Sequence, residues 1–440
     1  MRLFWKNRIP IMITVAALVV FFVAGCKKNP ELPEDPYVPV YDQGSGTNED
    51  PWLISNAEQL DSIRNNLSAH YRLIADIDLG DYLADTPWVP IGDESNNFNG
   101  VLDGNNHTIT GLTLSVVKSQ SRAIIAFFRC TGEAAEIRNM FLDNVCIHGT
   151  GYGTEVIAAL VGINKGEIKD CSVLLTTEGY MSQLGGLVSH NKGVITSCRA
   201  DVDMKYWPAR VGGLVYSNEG SIHDCYTSGT ITGEQWLDAG GMVLENWSTI
   251  SECHSSVDII NTNQTKGSVG GFVGEQSTSG TIRESYSTGN IELVISSLFD
   301  TFSDALTVGG FVGGCYLCEE ETIENSYTTG NVLVTIGAGN FSGARITIGG
   351  FSGGGSDLTN CYAAGKVTGI NTGGLVGADN VNAKVISSYY DSETTGQNDT
   401  GNGIPKTSME MMQQATFEGW DFTSVWTIDE GTSYPFLQWQ

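Results

Sequence analysis

Ten cysteines, six histidines and a few acidic pairs are the residues of this chain with the most obvious reactive potential. Cys171, Cys198, Cys225 and Cys253 fall 27, 27 and 28 residues apart, and Ser285, Ser326 and Ser388 occupy the same place in later copies, with Cys361 between them. A thiol that alternates with serine at one repeat position suits a small buried filler better than a disulfide framework. Cys315-Tyr-Leu-Cys318 has the spacing of half a zinc site, but no second pair or neighbouring histidine supplies the other ligands. Loop cysteines bonded to each other are the expectation there, and no metal site is assigned. His70, His107, His148, His190, His223 and His254 form no His-Glu-x-x-His, which excludes that peptidase route. Asp76 with Asp78, Asp103, and Asp201 with Asp203 are the acids a glycan lyase or hydrolase would draw on. Each also suits a corner or a solvated face, so no catalytic residue is assigned.

Two features are candidates for binding. The position after the small cysteine or serine reads Tyr226, His254, Tyr286, Tyr327, Tyr362 and Tyr389 in successive copies. Stacked in register, these rings form an aromatic stripe, which is either a structural ladder or, if outward-facing, a platform for sugar rings or a partner's side chains. The two longest copies carry their extra residues before Gly309 and Gly349. Phe299 and Phe302 lie in one insertion, Phe341 and Arg345 in the other, and adjacent insertions of a solenoid project from one flank.

The elements that must position these residues are repeats. Gly185-Gly186-Leu187-Val188 recurs at Gly212, Gly240, Gly270, Gly309, Gly349 and Gly373, with Ala158-Ala159-Leu160-Val161 as a degenerate first copy. The steps are 27, 27, 28, 30, 39, 40 and 24 residues. Each copy has a second half in which an aliphatic residue lies three before the small one, as in Ile195/Cys198 and Ile222/Cys225. Strict strand alternation would put the two on opposite faces. A corner at the residue before the cysteine returns both to the interior, which assigns that corner to Asp170, Ser197, Asp224, Glu252, Glu284, Asn325 and Asn360. Two short β-rich runs per copy, with turn residues between, cannot bury their faces alone; stacking in register makes one core. The expectation is an all-β parallel β-helix of about ten coils over 98–396.

Gly373-Gly374-Leu375-Val376-Gly377, followed elsewhere by Gly-x-Ile-x-x-Cys-Tyr-x-x-Gly-x-Val, resembles the GLUG-motif repeat family of bacterial surface proteins. The closing glycine is replaced at Ser189, Tyr216 and Leu244. The run Asp50-Pro-Trp-Leu-Ile-Ser55, with Phe98-Asn-Gly-Val-Leu-Asp-Gly-Asn-Asn-His-Thr-Ile109, resembles the β-helix opening of those proteins and of the non-catalytic region of IgA-specific metallopeptidases. The resemblance implies a right-handed β-helix at the cell surface; it describes architecture and settles no activity.

The ends complete this organisation. Arg2, Lys6 and Arg8 precede an apolar run and Val23-Ala24-Gly25-Cys26, which resembles a bacterial lipobox with Val in the usual Leu position. Residues 1–25 are read as a lipoprotein signal peptide with Cys26 acylated, and 26–51, with Pro30, Pro33, Pro36 and Pro39, as an extended tether. Region 52–97 is read as an N-terminal cap, with Ser55 and Glu58 as a capping box. Region 397–440, with Thr407 and Glu410 in the same pattern and Trp420, Trp426 and Trp439 beyond, is read as a cap over the open end. Charge is −27, and near −30 without the leader's three basic side chains, which argues against nucleic acid or anionic lipid as partner. No cofactor is expected, although so acidic a surface would admit Ca2+.

These readings define an outer-membrane lipoprotein, displayed at the surface or facing the periplasm. As a monomer it would bind a glycan or a host or bacterial surface protein as a non-catalytic adhesin. The alternatives are a carbohydrate-active enzyme on the same scaffold and a passive spacer. Three or more carboxylates in one outer groove beside a lysine or arginine would favour the enzyme, and an exposed apolar loop cluster without them would favour binding.

Overall fold

The glycine pair is where the repeat sequence becomes geometry. In the computed structural model, a Cβ added to the first glycine of each pair would lie 1.8–1.9 Å from the carbonyl oxygen three residues on. Only glycine lets the chain double back that tightly. A Cβ on the second would strike the equivalent glycine carbonyl of the next coil, at 1.9 Å for Gly186 against Gly213. The motif therefore records one close approach within a coil and one between coils.

The structure describes residues 40–84, 87–116, 123–150, 155–206, 209–295, 305–316, 322–337, 345–377, 384–400 and 402–440. Each coil uses four strands where two runs are evident in the sequence. In one coil they are Gln183–Gly185, Val188–Asn191, Val194–Thr196 and Arg199–Tyr206. Each pairs in parallel with its counterpart in the next coil, with Leu184 opposite Val211, Val188 opposite Val215, Ile195 opposite Ile222 and Arg199 opposite Tyr226. Like strands build four long sheets around one core. The result is a parallel β-solenoid of about nine turns, against the expected ten or so coils. Trp52–Ile54 and His70–Leu73, in the region read as a cap, already pair at the head of one of the long coil-by-coil ladders, so the solenoid begins there.

The interior is a set of ladders. Ile168, Ile195, Ile222, Ile250, Ile282, Ile323 and Leu358 are fully buried, and so are the cysteines and serines three residues after them. The seven expected corner residues between them, Asp170 to Asn360, all adopt positive φ, from 47° to 55°. That single left-handed residue turns the strand and brings aliphatic and small side chains into the same interior. Phe272, Phe311 and Phe351 stack at 4.6 Å between centroids. Beside them runs a buried amide ladder: Asn164, Asn191 and Asn218 each donate to the next asparagine at 2.9 Å, and Asn246 donates to Gln276 at 3.1 Å. Every such amide replaces lost water with a partner one coil away.

The two helix starts differ in outcome. Thr407 and Glu410 form the expected reciprocal capping box on Ser408–Met411. At the other end Asn56, not Ser55, caps Ala57–Asp61 by accepting from the Gln59 N–H, and Ser55 instead donates to the Gln59 side chain. The asparagine one residue later simply reaches the free N–H better. Leu60 and Ile63 are fully buried in the main core.

Candidate functional site

The tyrosine stripe exists, but most of it is covered. Tyr226, His254, Tyr286, Tyr327 and Tyr362 stack with centroids 4.8–5.1 Å apart and planes within 3° of parallel. Tyr327 and Tyr362, with Tyr286 packed against them, lie outside the solenoid core in a second apolar cluster with Met411, Phe417, Trp420, Trp426 and Leu437. The C-terminal segment first covers the last coil, where Ile404–Lys406 pairs beside Tyr389–Asp391 and Asp399 accepts from the Gly374 N–H. It then folds back along this flank as a strap, and its indoles reach the corner column. Trp420 donates to the Ser387 carbonyl at 2.9 Å, Trp426 to Asn325 at 3.3 Å, and Trp439 to the Glu284 carbonyl at 3.0 Å. Tyr362 donates to the Pro435 carbonyl at 2.7 Å, and Tyr327 pairs with the Gln440 side chain.

Tyr327 is 6% and Tyr362 2% exposed, which corrects their assignment as ligand-facing residues: the strap occupies the platform. Burial raises both phenols above their usual range and lowers the His254 imidazole. Tyr226 and Tyr286 stay partly exposed; Tyr226 carries the Arg199 guanidinium 5.0 Å over its ring, and Tyr286 packs on Trp439.

Phe299, Phe302 and Phe341 lie outside the described residues, as does Cys26. Arg345 is exposed and opens the strand Arg345–Gly349, opposite Ala305 of the preceding coil. The strands that lead into the two insertions also pair, Ile295 opposite Ile336. Both insertions thus bridge the same two sheets in adjacent coils, as the spacing predicts.

A cleft on this flank went unnoticed in the sequence. The glycine corner folds one strand back over the next, so the side chain two before the glycine pair faces the one five after its first glycine. In successive coils the first column reads Gln183, Arg210, Asp238, Ser268, Thr307 and Thr347, and the second His190, Ser217, Glu245, Glu275, Gly314 and Gly354. Arg210 is the hub. It donates to Tyr216 at 2.7 Å, to Glu245 at 2.5 Å and to Asp238 at 3.3 Å, and lies 3.7 Å from Glu275. Asp238 also accepts from the Ser268 N–H at 2.9 Å and from the Trp236 indole. Burial raises the Asp238 carboxyl in spite of those donors. Burial, and then the neighbouring Asp238 charge, push Glu275 up to about 7. Tyr216 stands where later copies have glycine, and it closes the cleft on that side. Beyond it lies a cavity of about 490 Å3, lined by Gly314 together with Trp236, Asp238, Lys266, Ser268, Glu275 and Thr307.

The carboxylates singled out in the sequence do not converge. Asp76 bonds His107 and the Thr108 N–H, Asp78 the Gly80 N–H, and Asp103 sits between Arg72 and Arg138. Asp201 pairs with Arg199 and Asp203 with Lys205 along a strand face. Cys171, Cys198, Cys225, Cys253 and Cys361 are free and buried, the filler role expected of them. Cys315 is disulfide-bonded; Cys318 lies outside the described residues. Cys146 is the free thiol of intermediate exposure, 3.4 Å from His148. Among the described residues no group of three or more His, Cys, Asp or Glu is placed to hold a metal ion.

Fold and motif together define a parallel β-solenoid that carries the GLUG motif, whose family model matches residues 267–292, about one coil. Over 90% of its length the chain is 32% identical to a protein of Evansella cellulosilytica provisionally named a Gly-rich membrane protein, and spans 45% of that relative. It is 28% identical over 151 residues to Halomucin of Haloquadratum walsbyi, 2% of that protein's length. Among solved structures it is similar to a Bacteroides ovatus protein provisionally named an immunoglobulin A1 protease. That alignment has 19% identity, a TM-score of 0.36, and covers 91% of this chain and 96% of that one. An IgA1 protease aligns at 16% identity with a TM-score of 0.43, over 84% of this chain and 24% of that one. At these scores the structural likenesses carry no argument about activity.

Proposed function

We propose that this chain is a lipid-anchored envelope protein, displayed on the outer membrane through acylated Cys26, that binds a glycan or a surface protein without turning it over. The cleft carries this reading. In a solenoid whose interior ladders repeat coil after coil, the flank between Arg210 and Thr347 combines a cavity, an aromatic side chain, unpaired acceptor capacity and the flanks of both long insertions. Departures from a repeat on one face of a solenoid are common places for function. The envelope location draws support from the lipobox-like leader, from a relative named a membrane protein, and from the disulfide at Cys315, since such bonds persist in oxidising compartments.

A carbohydrate-active enzyme is the second reading, favoured by one observation. Asp238, Glu245 and Glu275 surround Arg210 in a single groove, the arrangement tied above to catalysis, and Glu275 is poised near 7 as a general acid requires. Hydrolysis needs a second, available carboxylate across the bond. Asp238 is engaged by three donors and Glu245 by Arg210 and Tyr216, which leaves Glu275 alone. The test incubates soluble 27–440 with host and plant glycans, mucin and matrix proteins. Retention with no released product is expected; release of sugar fragments would overturn the non-catalytic reading. Labelling with a radiolabelled fatty acid, present in the full chain and lost in Cys26→Ser, checks the anchor.

A further inference from the structure

We propose that the cavity between Trp236, Asp238, Ser268, Glu275 and Thr307 is a saccharide site that takes one uncharged hexopyranose ring. This deepens the glycan-binding reading and rests on it. The size is right: about 490 Å3 lies within the range of roughly 300–1,000 Å3 typical of small-molecule sites. The lining has the mixture that a sugar needs, with an indole for the C–H face and polar groups for the hydroxyls. Ser268 and Thr307 hydroxyls lie 3.0 Å apart and bond to each other, so one O–H still has a proton to donate and both keep lone pairs. Asp238 is fixed by Arg210, Trp236 and the Ser268 N–H, and so holds the Trp236 ring in place.

Glu275 is the side chain left over. Among the described residues its ionic partner is Arg210 at 3.7 Å, too far for a hydrogen bond, and it lines the cavity. Near neutral pH it is divided between acid and carboxylate, and can either donate to or accept from a hydroxyl. The cavity is open because of a glycine: a Cβ on Gly314 would come 2.6 Å from the Thr307 hydroxyl and 3.3 Å from that of Ser268. Three coils earlier, Arg210 stands at the place of Thr307 and bonds Tyr216 across the equivalent space. The choice of an uncharged ring follows from electrostatics. Asp238, Glu245 and Glu275 outnumber Arg210 and Lys266, so a uronate carboxylate would enter against like charge.

The test uses mature 27–440 with glucose, galactose, N-acetylglucosamine and glucuronate, read by saturation-transfer NMR, beside retention of polymeric glycans on an array. Variants are Trp236→Ala, Gly314→Val and the isosteric Glu275→Gln, each checked for a cooperative melting transition that shows it is folded. At least one neutral hexose should give transfer, with glucuronate weaker. Affinity should fall at least tenfold in Trp236→Ala and vanish in Gly314→Val. If wild type retains glycan and all three variants retain it equally, the cavity assignment fails while the glycan-binding reading stands. If wild type retains no saccharide of any kind, both fail. Preference for glucuronate overturns the assignment as well.

Discussion

Replacing Asn218 with alanine removes the middle of the buried amide ladder, and the structure sets the size of the effect. The Asn218 side chain is fully buried; it accepts from Asn191 at 2.9 Å and donates to Asn246 at 2.9 Å. After substitution, the Asn246 oxygen keeps only the Ser248 N–H at 3.4 Å. The Asn191 amide keeps carbonyls at 3.3 and 3.4 Å. Two buried groups are thus left under-satisfied, at about 1–3 kcal/mol each, so Asn218→Ala should destabilise by about 2–6 kcal/mol. The double variant Asn218→Ala/Asn246→Ala should cost less than the sum of the singles by about 1 kcal/mol, because it removes an orphaned acceptor. Equilibrium denaturation of 27–440 followed by tryptophan fluorescence, with hydrogen exchange of the flanking coils, measures both. A single-variant loss below about 0.5 kcal/mol with strict additivity would refute inter-coil amide pairing as a source of stability.

Four further outcomes follow from other parts of the molecule. The folded-state pKa of Glu275, about 7, lies above its usual 4.5, so the folded form holds a proton the unfolded chain has released. Its contribution to stability is full below about 4.5 and is lost as pH rises to about 7. Glu275→Gln should therefore flatten that slope and gain ~1–3 kcal/mol relative to wild type at pH 8, read from denaturation midpoints. Trp439→Ala should uncover Tyr286 and loosen the strap, raising hydrogen exchange in 420–440 and costing about 1–3 kcal/mol, less than a core aromatic because the ring is only partly buried. Glu252 has φ 52°, where asparagine is better tolerated and a β-branched residue is not. Glu252→Asn should be neutral to stabilising, and Glu252→Val should lower the melting temperature. Burial pushes the Cys130 thiol up to about 11 and Cys361 up to about 12, so maleimide on the native protein should modify Cys146 ahead of both, as peptide mass mapping would show.

The parts of the fold legible in the sequence are those set by residues close together in the chain. The Ile-to-Cys spacing revealed the corner because alternation within one strand forbids both residues on one face, and all seven named corner residues turn out left-handed. The strap was hidden because its partners are distant: Tyr362 bonds Pro435, 73 residues on, and Trp439 bonds Glu284, 155 residues back. Bulky C-terminal aromatics announce burial without saying which surface they cover. The cleft was hidden differently. Arg210, Asp238, Glu245 and Glu275 look like scattered strand charges until the copies are aligned on the glycine pair. Then Arg210 and Asp238 share the place two before it, and Glu245 and Glu275 the place five after its first residue. The loss of the closing glycine at Tyr216 marked the same coil. Reading columns at both offsets would have found the site.

Everything at the cleft depends on those columns being real, and a distance across many coils tests that most directly. With Cys146→Ser as background, spin labels at Val194→Cys and Lys384→Cys sit on exposed positions of one sheet six inter-coil steps apart. At about 4.8 Å per step the backbone separation is about 29 Å. Pulsed electron–electron resonance should return a narrow distribution centred near that value. A broad distribution, or a centre well beyond 40 Å, would mean that the copies fold apart from one another, and that Arg210, Asp238 and Glu275 never meet.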